Sequence, residues 1–150
     1  MASAVVLTSS SQALADAVEI PTVPLCDGRS ATIVLGPKTA DRVVGTPGPD
    51  VIVALNGYHV IYGGDGDDRI CTFGPERDVV HGNSGRDRIF TDSGDDQLSG
   101  QQGNDYLYGG AGEDLLRGGL DKDEADGGPD GDVCFNTETT SSCGRWPFKK

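Results

Sequence analysis

The chain has little of what ordinarily builds a protein interior. Only 6% of its 150 residues are aromatic and 35% are hydrophobic, too little for a chain of one-domain length to rely on apolar burial alone. Basic residues are scarce too, 12 against 24 acidic ones, and the net charge is -12. That imbalance disfavours nucleic acid, anionic membranes and phosphate substrates, and it favours divalent cations as partners. No apolar run approaches the length of a transmembrane helix. The four cysteines include no CxxC pair; an even number in a small acidic chain fits an oxidising compartment better than a cytosolic redox site. Low hydrophobicity with high net charge is also the signature of a chain that stays unfolded until a ligand arrives.

What the chain does have is glycine, 23 of them, and a nine-residue period. Blocks begin at Gly36, Gly45, Ala54 and Gly63; after Thr72, read as an extra residue, they resume at Phe73 and continue through Gly82, Thr91, Gly100, Gly109, Gly118 and Gly127. Aspartate holds the sixth place in ten of these eleven blocks, at Asp41, Asp50, Asp68, Asp78, Asp87, Asp96, Asp105, Asp114, Asp123 and Asp132, and His59 is the exception. The eighth place is apolar or nearly so throughout: Val43, Ile52, Ile61, Ile70, Val80, Ile89, Leu98, Leu107, Leu116, Ala125 and Cys134. One inward side chain flanked by two outward ones is a three-residue strand. The six preceding residues form a turn, with glycine at the first, second and fourth places expected to supply positive backbone angles. Two blocks then make one coil, and successive coils stack as two parallel sheets.

The blocks Gly63–Cys71 and Gly109–Arg117 keep the pattern GGxGxDxUx best. The array from Gly36 to Phe135 resembles the RTX, or haemolysin-type, calcium-binding repeat. Cys26-Asp27-Gly28-Arg29 and the late pair of cysteines also resemble the small secreted actinobacterial members of that family. The resemblance implies an all-β fold, a parallel β-roll (right-handed β-solenoid) with short caps at both ends. It also implies several Ca2+ ions between stacked turns, held by glycine-turn carbonyls and sixth-place aspartates. Calcium takes six to eight hard oxygen ligands in a forgiving geometry, which such turns can offer.

Alternate turns lie on opposite sides of the roll, so Asp50, Asp68, Asp87, Asp105 and Asp123 should form one column. Asp78, Asp96, Asp114 and Asp132 should form the other, continued poorly by Asp41 and His59. With the turn glycines Gly64, Gly66, Gly85, Gly94, Gly103 and Gly112, these are the expected metal-site residues. The pairs Asp50–Asp68, Asp68–Asp87, Asp87–Asp105 and Asp96–Asp114 keep glycine at the fourth place in both turns and should be strongest. Without metal, coils roughly 4.8 Å apart stack like charges. About six divalent ions would nearly cancel the net charge, and their binding would become folding free energy. Irregularities at His59, Thr72, Glu76, Asp121 and Asp130 read as decay of the array.

Other chemistry fits poorly. The acidic runs Asp65–Asp68 and Asp121–Asp126 lack the glycine and closing glutamate of an EF-hand loop. No GK[ST] follows the glycine-rich turns, and the paired carboxylates recur at the repeat spacing, as ligands rather than catalysts would. His59 and His81 have no triad-like context and are expected at the surface. Cys26, Cys71, Cys134 and Cys143 lack the short paired spacing of a zinc site. Disulfides Cys134–Cys143, where the array stops, and Cys26–Cys71 are the more natural arrangement. Cys71 shares an outward face with Val51, Val53, Phe90, Tyr106 and Tyr108, so the second bond would draw Pro21–Cys26 over that apolar stripe as a cover.

Residues 1–15 carry no charge, hold a short apolar stretch and end in Ala13-Leu14-Ala15. That is an A-x-A cleavage pattern leaving Asp16 first, though without the usual basic front. The expected organisation is a leader remnant at 1–15, a cap segment at 16–35, the roll at 36–135 and a capping tail at 136–150. In that tail Arg145, Trp146, Phe148, Lys149 and Lys150 would cover the last coil. The whole reads as a secreted, non-catalytic calcium-binding protein with no nucleic-acid partner and no membrane span. The alternatives are an accessory module of a secreted hydrolase or epimerase, or a surface adhesion or structural protein.

Overall fold

The structure, a computed structural model, describes residues 5–7, 25–37 and 42–144. Most of residues 1–15, Pro21–Pro24, Asp41 and the tail from Arg145 lie outside the described residues, while Val5–Leu7 of the expected leader pair with Ile33–Leu35 in a sheet of the roll. No helix occurs among the described ones. Strands numbered in chain order fall into two parallel sheets and one small hairpin. The first sheet runs β1 (Val5–Leu7), β4 (Ile33–Leu35), β6 (Val51–Leu55), β8 (Arg69–Phe73), β10 (Arg88–Phe90), β12 (Tyr106–Tyr108), β14 (Glu124–Asp126) and β16 (Thr139–Ser141). The second runs β5 (Arg42–Val44), β7 (Val60–Asp65), β9 (Val79–Ser84), β11 (Gln97–Gln102), β13 (Leu115–Leu120), β15 (Asp132–Phe135) and β17 (Cys143–Gly144). The hairpin pairs β2 (Leu25–Cys26) with β3 (Arg29–Ser30) antiparallel.

Eighth-place residues register with one another from coil to coil: Ile52 with Ile70, Ile70 with Ile89, Ile89 with Leu107, Leu107 with Ala125. On the facing sheet Val43, Ile61, Val80, Leu98 and Leu116 do the same. Together they form one continuous core between the sheets, joined by Leu35 and Ala54. The array is a β-solenoid of stacked coils, as the nine-residue period predicts, and its interior is one side chain wide per strand. That narrowness explains how so few hydrophobic residues suffice. It also leaves the turns to contribute much of the remaining stability.

Thr72 is not an extra residue between two blocks. It pairs opposite Ala54 and occupies the first place, with Phe73 opposite Leu55. Thr72 is buried and its hydroxyl bonds the Asp78 carboxylate, while Phe73 stays exposed. The extra residue therefore sits within the turn that follows, where Gly74 takes a φ of 133°. A phenylalanine in the first place would have to enter the turn interior, so the polar threonine goes there instead.

The glycine expectation also needs correcting. Positive φ occurs at the fourth place, as at Gly66 (116°) and Gly85 (127°), and at the second, as at Gly64 (114°), Asn83 (81°) and Gln101 (84°). First-place glycines such as Gly63, Gly82 and Gly109 do not have it. At Gly85 a side chain is excluded twice, because a Cβ would also run into the Gly66 carbonyl of the coil before.

A second apolar cluster lies outside the roll. Cys26 is disulfide-bonded to Cys71 with Cα atoms 5.6 Å apart, and Cys26, Ala31 and Val34 pack with Val53 and Cys71 against Val51, Leu55 and Phe90. The hairpin thus covers the near half of the apolar stripe. Its turn adds a clasp, with Asp27 3.4 Å from Arg69 and 3.2 Å from Arg88. Tyr106 and Tyr108 lie further along the stripe, and Arg88 stacks 5.3 Å over the Tyr106 ring. At the other end Cys134 bonds Cys143, with Cα atoms 5.6 Å apart, tying β15 to β17.

Gly85→Ala should lower stability by about 3 kcal/mol through combined φ strain and backbone collision. Gly131→Ala should be nearly neutral, since its φ is not positive and the nearest atom to a new Cβ is a Glu113 side-chain carbon at 3.8 Å. Thermal unfolding of the two variants in one buffer checks the contrast; equal midpoints would refute the packing account.

Candidate functional site

The sixth-place residues stand in two columns, one along each edge of the roll. In the first, the backbone N–H of Asp50 donates to Asp68 Oδ1 at 2.8 Å, Asp68 to Asp87 at 3.0 Å, Asp87 to Asp105 at 2.9 Å and Asp105 to Asp123 at 3.0 Å. In the second, His59 donates to Asp78 at 2.8 Å, Asp78 to Asp96 at 2.7 Å, Asp96 to Asp114 at 2.9 Å and Asp114 to Asp132 at 2.9 Å. One oxygen of each aspartate after the first in its column therefore ties its coil to the coil before. Backbone bonds run alongside, such as Arg88 N–H to the Asp68 carbonyl at 2.9 Å.

The other oxygen is free. Oδ2 of Asp68, Asp87, Asp96, Asp105, Asp114, Asp123 and Asp132 is buried with no hydrogen-bond partner. In the Asp96 turn the first place is held by Thr91, whose hydroxyl bonds the Asp96 carboxylate; all the others point into their own turn, against a first-place glycine. That contact explains the first-place glycines: a Cβ on Gly63 would strike Asp68 Oδ2, and one on Gly109 would strike Asp114 Oδ2. The next coil brings a carbonyl to the same spot. The Gly82 oxygen lies 2.6 Å from the Cβ position of Gly63, and the Gly127 oxygen 2.8 Å from that of Gly109. The carbonyl remains tied into the backbone ladder, as Asn136 is by the Gly119 N–H at 3.0 Å, but the carboxylate oxygen beside it has no donor, which is costly unless a cation joins it.

The oxygens available there are carboxylate and backbone carbonyl, which suits a hard divalent ion such as Ca2+ and offers nothing soft for zinc or copper. Among the described residues no three His, Cys, Asp or Glu side chains converge on one point. A divalent ion held in these turns would therefore need turn carbonyls among its ligands. Gly64, Gly66, Gly85, Gly94, Gly103 and Gly112 all sit in these turns with positive φ, which lets their coils approach closely enough for that.

Burial raises the carboxyl pKa values all along the columns. Asp87 and Asp96 rise from 3.8 to about 7, and Asp68, Asp105 and Asp114 to about 6, with desolvation the main cause and the neighbouring column carboxylates adding to it. Asp78, Asp123 and Asp132 shift upward for the same leading reason.

The ends of the columns differ from the middle. Asp50 has no free oxygen facing its turn, because Oδ2 accepts the Thr46 N–H at 2.6 Å and the Thr46 hydroxyl at 3.0 Å. Glu76 lies between two turns and accepts the Gly57 N–H at 3.0 Å. Asp121 and Asp130 adopt the positive φ of the fourth place, 77° and 108°, where glycine usually stands. His59 is not a surface residue. Only 1% of it is exposed, and its imidazole fills the place of a carboxylate inside the turn with both ring nitrogens unpartnered. The sixth place is interior whatever residue occupies it. His81 is partly buried, stacked on Tyr62 at 4.8 Å, and desolvation lowers its pKa.

One residue of the first column was not visible in the nonapeptide pattern. Glu138 accepts the Asp123 N–H at 2.6 Å, the role that a sixth-place aspartate plays elsewhere. It follows Asp123 by 15 positions rather than 18, so a nine-residue register steps over it.

The metal-free fold holds protons on column carboxylates up to pH 6–7, whereas an unfolded chain releases them near pH 4. Its stability is therefore greatest below about pH 4 and falls as pH rises through 6 to 7. A divalent ion must displace those protons, so its apparent affinity should drop below about pH 7 with proton release on binding. Circular dichroism in chelator should show more β structure at pH 5 than at pH 8. Calorimetry in buffers of different ionisation enthalpy should detect the released protons; no buffer dependence at pH 6 would contradict the assignment.

A family model described as the RTX calcium-binding nonapeptide repeat (4 copies) matches residues 44–72, 74–107 and 99–134. No curated protein and no solved structure matches the chain. The matched segments contain both aspartate columns from Asp50 to Asp132 and every buried carboxylate oxygen that lacks a partner. Calcium binding is the property that defines such repeats, and the fold, the oxygen donors and the sequence match agree: the chain belongs to the RTX calcium-binding nonapeptide repeat family.

Proposed function

We propose that this protein acts outside the cell as a non-catalytic calcium binder whose roll closes when several Ca2+ ions enter the stacked turns. The observation that carries the reading is the set of seven buried carboxylate oxygens with no partner, arranged in two columns beside turn carbonyls. Asp68, Asp87, Asp105 and Asp123 would hold ions on one edge, and Asp96, Asp114 and Asp132 on the other, with the carbonyls of adjoining turns. Asp50 and Asp78 would close the starting ends of the columns, helped by Thr46 and Thr72. His59 offers no charge to an ion, so its turn would stay metal-free.

Ca2+ would supply positive charge where like-charged carboxylates stack, turning a repulsive column into a coordinated one. Binding free energy would then appear as folding free energy. Two disulfides support export to an oxidising medium. Low calcium inside the cell would leave the chain loose for transport, and millimolar calcium outside would fold it. The segments before Gly36 and after Phe135 would serve as caps: the hairpin of Leu25–Ser30 clamps the outward face, and the second disulfide pins the last strands.

A calcium titration of the chelator-treated, disulfide-intact protein, followed by circular dichroism at pH 7.5, should show a cooperative gain of β structure. An equally β-rich spectrum with chelator and with calcium would refute the coupling. Asp87→Asn removes a charge from the middle of the first column and should weaken the transition by about tenfold or more, consistent with losing an ion's carboxylate ligand.

A further inference from the structure

We infer that Glu138, the Asn136 carbonyl and Asp123 form a terminal calcium site outside the nonapeptide array, open to water and weaker than the sites between regular turns. The inference rests on the calcium reading above and extends it to a segment that carries no repeat signature.

The turn Gly118–Asp123 is the last on its edge to have the GGxxxD form. Asp123 is 2% exposed and its Oδ2 has no partner, the same condition as in the columns' interior. A regular coil would follow with a first-place glycine carbonyl and a sixth-place aspartate. The chain supplies both by other means. The Asn136 carbonyl meets the Cβ position of Gly118, where Asp123 Oδ2 also lies at 2.5 Å, matching the way Gly82 and Asp68 meet at Gly63. Asn136 lies 18 positions after Gly118, the spacing of one full coil, and takes a φ of 52°.

The remaining turn is then cut short. Glu138 follows only two residues after Asn136, and its N–H and that of Thr139 bond the Asp123 carbonyl at 3.1 and 3.2 Å. Because this turn is three residues short, a carboxylate there needs extra reach, which glutamate's additional methylene provides. Its Oε2 accepts the Asp123 N–H at 2.6 Å, which leaves its second oxygen available to an ion. The shortened turn lacks the usual second- and fourth-place carbonyls. Glu138 is exposed and lines an open groove together with Asp105 and Asp123, with Arg86, Arg88 and Lys122 also on its walls. Water would complete the coordination, which lowers affinity relative to a closed site.

A purely structural role would make Glu138 only a hydrogen-bond acceptor closing the end of the column. Glu138→Gln separates the two, because the amide oxygen still accepts the Asp123 N–H while the charge is lost. Native mass spectrometry over a calcium series should show the variant binding one ion fewer than wild type at millimolar calcium, with an unchanged circular dichroism spectrum. Glu113→Gln, the same charge change at an exposed residue outside the columns, should leave the count unaltered. Equal ion counts for wild type and Glu138→Gln would overturn the site, as would an equal loss in Glu113→Gln. A wild type that binds no calcium would instead overturn the calcium reading itself, and the site with it. Amide NMR of the wild type provides a readout independent of any variant. The Glu138 and Thr139 signals should shift in a separate step at higher calcium than Arg86 and Asp87; signals that follow the central column with no transition of their own would refute the site.

Discussion

Everything in this roll depends on one unfavourable group: a buried column carboxylate oxygen, set beside a turn carbonyl, that has no hydrogen-bond donor of its own. Stacking parallel coils brings them together, since each coil places the same atoms one strand spacing from the last. The first oxygen of each aspartate is well used, accepting the N–H of the preceding column residue. The second has no such partner, and its desolvation is what lifts Asp87 and Asp96 to about 7. The fold therefore contains its own demand for positive charge. Protons can meet that demand only in acid, and Ca2+ can meet it at neutral pH.

The rest of the molecule limits what that demand could otherwise damage. A core one residue wide per strand, from Val43 to Ala125, holds the sheets at fixed separation, but it cannot resist column repulsion by burial alone. The Cys26–Cys71 bond and the Asp27 bridges to Arg69 and Arg88 clamp a hairpin across the outward face of the first sheet. At the far end Cys134–Cys143 fixes a final rung that has no repeat of its own. Cross-links act on the unfolded chain as well as on the native one, so they support the roll whatever occupies its turns. Exposed side chains tie neighbouring turns too: Asp67, Asp95 and Asn104 each accept an N–H from the following coil, at Arg86, Glu113 and Lys122.

The features legible in the sequence are those that repeat. Aspartate every nine residues, with two blocks to a coil, predicts both columns, and the structure groups Asp50 to Asp123 and Asp78 to Asp132 accordingly. The apolar eighth place predicts the core, and the nine-residue separation of Cys134 and Cys143 points to one disulfide, with Cys26 and Cys71 left as the default second pair. Features that depend on one place only were misread or missed. Thr72 looked like an insertion between two blocks, yet it holds the buried first place and its hydroxyl bonds the Asp78 carboxylate. His59 looked like a surface histidine, although any sixth-place side chain is enclosed by stacked turns. Glu138 escaped because its turn is three residues short.

By itself the sequence determined the period, the sidedness of the turns, the all-oxygen donor set and the family, because a nine-residue repeat fixes which side chains share an edge. Only the tertiary structure decided which oxygens are left free. It also decided why first-place glycines are needed, and how the array ends at Glu138. Those depend on distances of a few ångströms between coils, and the same aspartate in the same motif can be satisfied by Thr46, as at Asp50, or left bare, as at Asp87.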